Sequence, residues 1–108
     1  MDQERLQRLL SELRQGLKTI YGSRLKGLYL FGSYARQEQD AESDIDILVV
    51  LDRFDPNYSA EIDHAGDLGS DLSLKYGITI SKVFVKEKDW TQKKTPFLDN
   101  VREEAIAA

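Results

Sequence analysis

Leu30-Phe31-Gly32-Ser33-Tyr34-Ala35-Arg36 and, after a short polar stretch, Ser43-Asp44-Ile45-Asp46-Ile47-Leu48-Val49 decide how this chain folds. The first segment closes an apolar, aromatic run, Gly27-Leu28-Tyr29-Leu30-Phe31, that stops at Gly32-Ser33, as a buried strand entering a turn does. The second opens a run from Asp44 to Leu51 with period two. Ile45, Ile47, Val49 and Leu51 point one way and Asp44, Asp46, Leu48 and Val50 the other. Two strands joined by a polar loop are therefore expected.

Outward from these strands the period becomes helical. Leu6, Leu9, Leu10, Leu13, Leu17, Ile20 and Tyr21 predict an amphipathic helix from Asp2 to Tyr21, capped by Asp2 and stopped at Gly22. Asp52 to Asn57, with Pro56, reads as a connection. Tyr58, Ile62, Ala65, Leu68, Leu72 and Tyr76 predict a second helix, weakened by Gly66 and Gly69 and ending at Gly77. Ile78 to Val85 is rich in β-branched residues and predicts a third strand. Thr95-Pro96 starts a last helix carrying Phe97, Leu98, Val101, Ala105 and Ile106. The expected order is α-β-β-α-β-α without repeat, low-complexity tract or linker, an α/β (α+β) chain forming one domain over residues 1–108.

The 108 residues carry 15 Lys and Arg against 19 Asp and Glu, a formal charge of −4, and leave room for one small core. Zero cysteines exclude a disulfide scaffold, a thiolate zinc site and a cysteine nucleophile. No apolar run approaches the roughly 18 residues of a membrane span. Met1-Asp2-Gln3-Glu4 opens too acidically for a signal peptide. These features read as a soluble protein of the cytoplasm, with no membrane partner. The charge is uneven: Glu38 to Asp71 holds eleven carboxylates against the single base Arg53, a segment of −10 in a chain whose remainder is +6. An acidic middle with basic flanks suits a divalent cation followed by a polyanion, and equally describes solvated acidic helix faces.

Asp44 and Asp46, two apart on a strand, project from one face with β-carbons roughly 6 to 7 Å apart, near enough to share a cation. Like charges this close raise a pKa or recruit a counter-ion, and hard oxygen ligands select Mg²⁺ or Mn²⁺. An Asp-x-Asp pair alone also describes a solvated strand end. The preceding turn adds information, because glycine lets a backbone approach a phosphate closely and Ser33 supplies a hydroxyl. If Ser33 opens a helical turn, Arg36 lies three residues on, on the same side, to pair with a phosphate oxygen. Phosphate turn and paired carboxylates on consecutive strands are the parts of metal-assisted nucleotidyl transfer.

Gly32-Ser33, ten residues, then Asp44-Ile45-Asp46 resembles the signature of the minimal nucleotidyltransferases of the polymerase-β-like superfamily; the resemblance is strong from Leu28 to Leu51. It implies a small fold with a mixed sheet packed by helices, Mg²⁺ (or Mn²⁺) at Asp44 and Asp46, and ATP phosphates at Gly32, Ser33 and Arg36, with Ser43 also toward the nucleotide. It further implies transfer of AMP to a protein hydroxyl, with tyrosine the expected acceptor, and an antitoxin role in a hetero-oligomer with a HEPN-type ribonuclease toxin. The superfamily usually adds a third carboxylate from a later strand. Here the aligned position is Ser81 or its neighbour, and Glu87 and Asp89 come only after the strand. The gap leaves two alternatives: an enzyme with two carboxylates, or a catalytically weak subunit that neutralises its partner by contact. A small-molecule transferase of the aminoglycoside type would need an acceptor domain for which the chain is short.

His64, the only histidine, reads as a structural or exposed residue. Trp90, Tyr29, Phe31, Phe84 and Phe97 read as core rather than a base-stacking platform. Tyr34 sits inside the turn, able to line a pocket, face a partner or lie exposed. Lys82, Lys86, Lys88, Lys93 and Lys94 keep a strand edge soluble rather than bind nucleic acid. No serine–histidine–acid triad, dinucleotide loop or Walker loop is found.

Overall fold

The centre of the fold is β2 (Ile45–Leu51), whose side chains are all buried except Asp46. A strand buried on both faces is covered on both. In the computed structural model, which describes residues 1–108, β2 pairs antiparallel with β1 (Leu25–Phe31) and parallel with β3 (Ile80–Lys86). A short β4 (Ile106–Ala107) pairs antiparallel with β1, giving a mixed sheet of order β3-β2-β1-β4.

Helix α1 (Gln3–Tyr21) is capped by the Asp2 side chain, and α3 (Tyr58–Tyr76) by Asn57. Helix α3 ends where Gly77 takes the left-handed conformation, and Ile78 N–H then donates to Ser73 O, so β3 starts at Ile80 rather than Ile78. Leu9, Leu13 and Leu17 of α1 and Ala65 and Leu72 of α3 pack on the face made by Ile45, Ile47, Val49 and Leu51. Ile20 and Ile62, expected on the buried stripes, are exposed. On the opposite face Leu48, Val50 and Val85 meet Leu98 and Val101 of α5 (Pro96–Glu104) and Trp90 of α4 (Glu87–Gln92). The Tyr29 and Trp90 rings lie 5.0 Å apart, and those of Phe31 and Phe97 5.8 Å. Four of the five expected core aromatics are thus packed, while Phe97 keeps a largely open flank.

Besides a 3-10 turn at Gly22–Arg24, the expected order lacks three elements that the structure contains: α2 (Gly32–Arg36), α4 and β4. The two helices are each under two turns, too short to leave a helical period. Ile106, expected on the last helix, belongs to β4. Helix α5 stops at Glu104 because Ala105 turns extended, and the main chain beyond it satisfies the open edge of β1. Pairing with that edge overrides local periodicity.

One buried and one half-buried charged side chain, Glu61 and Lys82, shape the face covered by α1 and α3. Glu61 is fully buried and accepts from Arg24, from Asp55 N–H at 3.0 Å and from His64 Nδ1 at 3.1 Å. The Tyr21 hydroxyl donates to the Glu61 carbonyl at 2.8 Å, and burial together with the Glu61 charge pushes this phenol up to about 12. Lys82, expected at the surface, faces α3 because it pairs with Ile47 in the ladder. A Cβ at Gly69 would strike its Nζ, so this helix glycine makes room for the lysine stem. Burial lowers the Lys82 pKa. The fold thus disfavours the ammonium at every pH below the ordinary lysine value of about 10.4. Lys82→Met, which keeps the stem and removes the charge, is expected to raise the thermal midpoint by a few degrees at pH 7.

Candidate active site

Strand β1 delivers the chain to Gly32 beside Asp46, since Phe31 and Asp46 are partners in the β1–β2 ladder. Gly32 has φ +74°, and a Cβ there would collide with the Asp46 carboxylate. Glycine is required twice, for the backbone conformation and for the close approach. Gly32→Ala is therefore expected to lose at least about 1–2 kcal/mol to the left-handed conformation and to push Asp46 out of place. Thermal denaturation and Mn²⁺ titration would check both effects.

The single helical turn α2 sets the directions of its own side chains. Ser33 and Arg36, three apart, share one side, and Tyr34 points to the other. Tyr34 is consequently only 4% exposed and belongs to the core under α1. It is packed in the core rather than exposed, and it anchors the turn. Arg36 donates to Glu38 at 3.1 Å and to Glu104 at 3.0 and 3.2 Å. The bond to Glu38 and, against desolvation, the charge of Glu104 raise its pKa. Glu104 also accepts from Gly32 N–H. Ser43 closes the loop ahead of β2, its Oγ accepting from Asp40 N–H at 3.0 Å and donating to Asp40 Oδ1 at 3.3 Å.

Asp44 is exposed and stands one residue before β2, not within it as expected, while Asp46 is partly buried on the strand. Asp46 faces the side occupied by α5, opposite α1 and α3. Neither carboxylate has an ion-pair or hydrogen-bond partner in the chain. Burial first, then the neighbouring Asp44, raise the Asp46 pKa, with Arg36 opposing and Glu104 adding. A partly buried carboxylate without a cation of its own, beside a second carboxylate, fits a shared hard divalent ion. No third His, Cys, Asp or Glu joins them at ligating distance. The ladder places Ser81 directly beside Asp46, so β3 offers a hydroxyl there. Glu87 and Asp89 lie beyond the far end of β3, in α4.

Gly32, Ser33, Arg36, Asp44 and Asp46 thus lie at one end of the two central strands, where β1 ends and β2 begins. Glu104 was absent from the residues expected there. No local pattern marks it, because it reaches the turn only through the packing of α5. The largest cavity, about 500 Å³ between α1 and α3, is lined by Arg5, Arg8, Ser11, Glu12, Lys75 and Tyr76.

A turn with a hydroxyl and a guanidinium, set beside two carboxylates where β2 begins on a mixed sheet, is an arrangement suited to nucleotidyl transfer. Residues 10–106 match the family model of the nucleotidyltransferase domain, and the chain belongs to that family. A relative from Methanocaldococcus jannaschii, named as a candidate protein adenylyltransferase, is 38% identical over 91% of this chain and 92% of its own length. Among solved structures, a toxin–antitoxin with AMP-PNP superposes with a TM-score of 0.65 at 21% identity, covering 90% of this chain and 69% of that one. A mutant of the toxin–antitoxin MntA–HpeT gives 0.59 at 19% identity, covering 94% and 69%. The chain therefore has the fold of these proteins and is a nucleotidyltransferase similar to candidate protein adenylyltransferases.

Proposed function

We propose that this protein transfers AMP from Mg-ATP to a hydroxyl, expected to be a tyrosine, of a partner protein. In this reading it is the cytoplasmic antitoxin of a HEPN ribonuclease toxin with which it forms a hetero-oligomer. The observation that carries it is the Gly32–Arg36 turn set beside Asp44 and Asp46 in a chain similar to a named candidate protein adenylyltransferase. Gly32, Ser33 and Arg36 hold the phosphates, and Ser43 orders the loop along the nucleotide. Asp44 and Asp46 would hold Mg²⁺ or Mn²⁺, which would supply positive charge to neutralise the charge that develops on the phosphates. A bond forms between the acceptor oxygen and the α-phosphorus, the α–β bond breaks, pyrophosphate leaves, and the hydroxyl proton passes to solvent.

Ser81 at the place of a third carboxylate favours a second reading, a subunit that silences its partner by contact alone. Labelled ATP, Mg²⁺ and the product of the neighbouring reading frame, incubated with the wild type and with Asp44→Asn/Asp46→Asn, separate the two. Label lost in the double variant together with neutralisation supports transfer. Neutralisation without label, unaffected by the double change, supports contact. Label transfer that survives the double change refutes the metal assignment.

A further inference from the structure

We propose that Glu104 is an internal occupant of the anion seat, closing it until a cation-loaded polyphosphate takes its place. This rests on the assignment of Gly32, Ser33 and Arg36 to phosphate. The carboxylate accepts from Gly32 N–H and receives Arg36 Nη1 on both oxygens, at 3.0 and 3.2 Å. These are two of the donors assigned to a phosphate oxygen, and Gly32 has a single N–H to give. Carboxylate and phosphate thus compete for one position.

The charges around the seat say which polyphosphate displaces Glu104. Arg36 is bonded to both Glu38 and Glu104, and Asp46 feels the charges of Asp44 and Glu104. Four carboxylates around one guanidinium repel a bare triphosphate, whereas a divalent ion held with it reverses the balance. Glu104 is the last residue of α5, which Leu98 and Val101 fix to the sheet, and β4 comes immediately after it along the edge of β1. Vacating the seat therefore turns the Glu104 side chain or moves the last turn of α5. A merely structural ion pair would have no bearing on affinity.

The test is calorimetric titration of the full chain with inorganic tripolyphosphate and with AMP-PNP, each with Mg²⁺, in the wild type, Glu104→Gln and Glu104→Ala. A seat closed in roughly nine molecules of ten weakens binding about tenfold, so both variants are expected to bind both probes about tenfold more tightly. In the wild type the Glu104 side-chain carboxyl carbon resonance is expected to shift at saturation, a readout needing no variant. Arg36→Ala tests the underlying assignment. If the wild type binds, Arg36→Ala abolishes binding and neither Glu104 variant binds more tightly, the phosphate seat stands and the closure is overturned. If no form binds either probe, the phosphate assignment fails and the closure falls with it.

Discussion

Asp46→Asn is expected to reduce AMP transfer about a thousandfold, because the few kcal/mol of charge stabilisation that a bound cation supplies convert to that factor at 1.36 kcal/mol per decade. Asp46 is the partly buried member of the pair and stands against the Gly32–Arg36 turn, so close that a Cβ at Gly32 would collide with its carboxylate. Asp44 is exposed on the loop side, from which it would share the ion, so Asp44→Asn is expected to weaken transfer less. The same substitution should not harm the fold. Burial and the neighbouring Asp44 raise the Asp46 pKa, so the folded state binds its proton more tightly than the unfolded chain does. An acid of this kind costs stability above its ordinary range, and the cost is relieved as the pH falls. Asparagine removes that cost, and Asp46→Asn is expected to melt at or above the wild-type temperature at pH 7. Activity lost with stability kept or gained is the pattern of a functional carboxylate; a lower melting temperature would mark Asp46 as structural.

The largest loss of stability is expected from Glu61→Ala. Glu61 is fully buried and holds Arg24, the Asp55 N–H and His64 together. Truncating it leaves the Asp55 N–H without a partner and strips the half-buried Arg24 guanidinium of its buried carboxylate, leaving it Asp52 at 3.5 Å and the Arg53 carbonyl at 3.0 Å. Breaking a buried pair in this way costs about 3 kcal/mol, and for a domain of this size lowers the melting temperature by roughly 15 °C. The pH dependence has a definite sign. Burial opposes ionisation of Glu61, but the bonds from Arg24, Asp55 N–H and His64 outweigh it and hold the pKa below the ordinary glutamate value. The stabilisation is fully present above about pH 4.3, the unfolded value, and is lost as the pH falls through the lower folded one. Glu61→Gln should therefore differ most from the wild type at neutral pH and converge on it in acid, as chemical denaturation at pH 7 and pH 3 would show.

The parts of the site that could be read in advance are those set by local geometry. The alternation from Ile45 to Leu51 placed Asp46 on the face opposite Ile45 and Ile47, and the strand-to-turn break at Gly32 brought Ser33 and Arg36 alongside it. What escaped depends on contacts far apart in the chain. Glu104 reaches Gly32 across 72 positions, through α5 packing on Leu48 and Val50. Tyr34 turns inward because α2 is helical, which five residues cannot signal by period. Ile106 leaves the last helix because β1 has an open edge, and Lys82 is drawn under α3 because Gly69 makes room. In the sequence Glu61 is only one charge of an acidic segment; the fold surrounds it with Arg24 and Asp55.

The central claim is that the α-phosphate of ATP, and not the γ-phosphate, ends on the partner protein. The direct measurement is incubation of the wild type with Mg²⁺, the neighbouring gene product and ATP radiolabelled at either the α- or the γ-phosphorus, with subsequent separation of the proteins. The account predicts partner labelling from α-labelled ATP alone, abolished by chelation of the metal and by Asp46→Asn. Labelling from γ-labelled ATP, or none from α-labelled ATP while the partner is still neutralised, would contradict it.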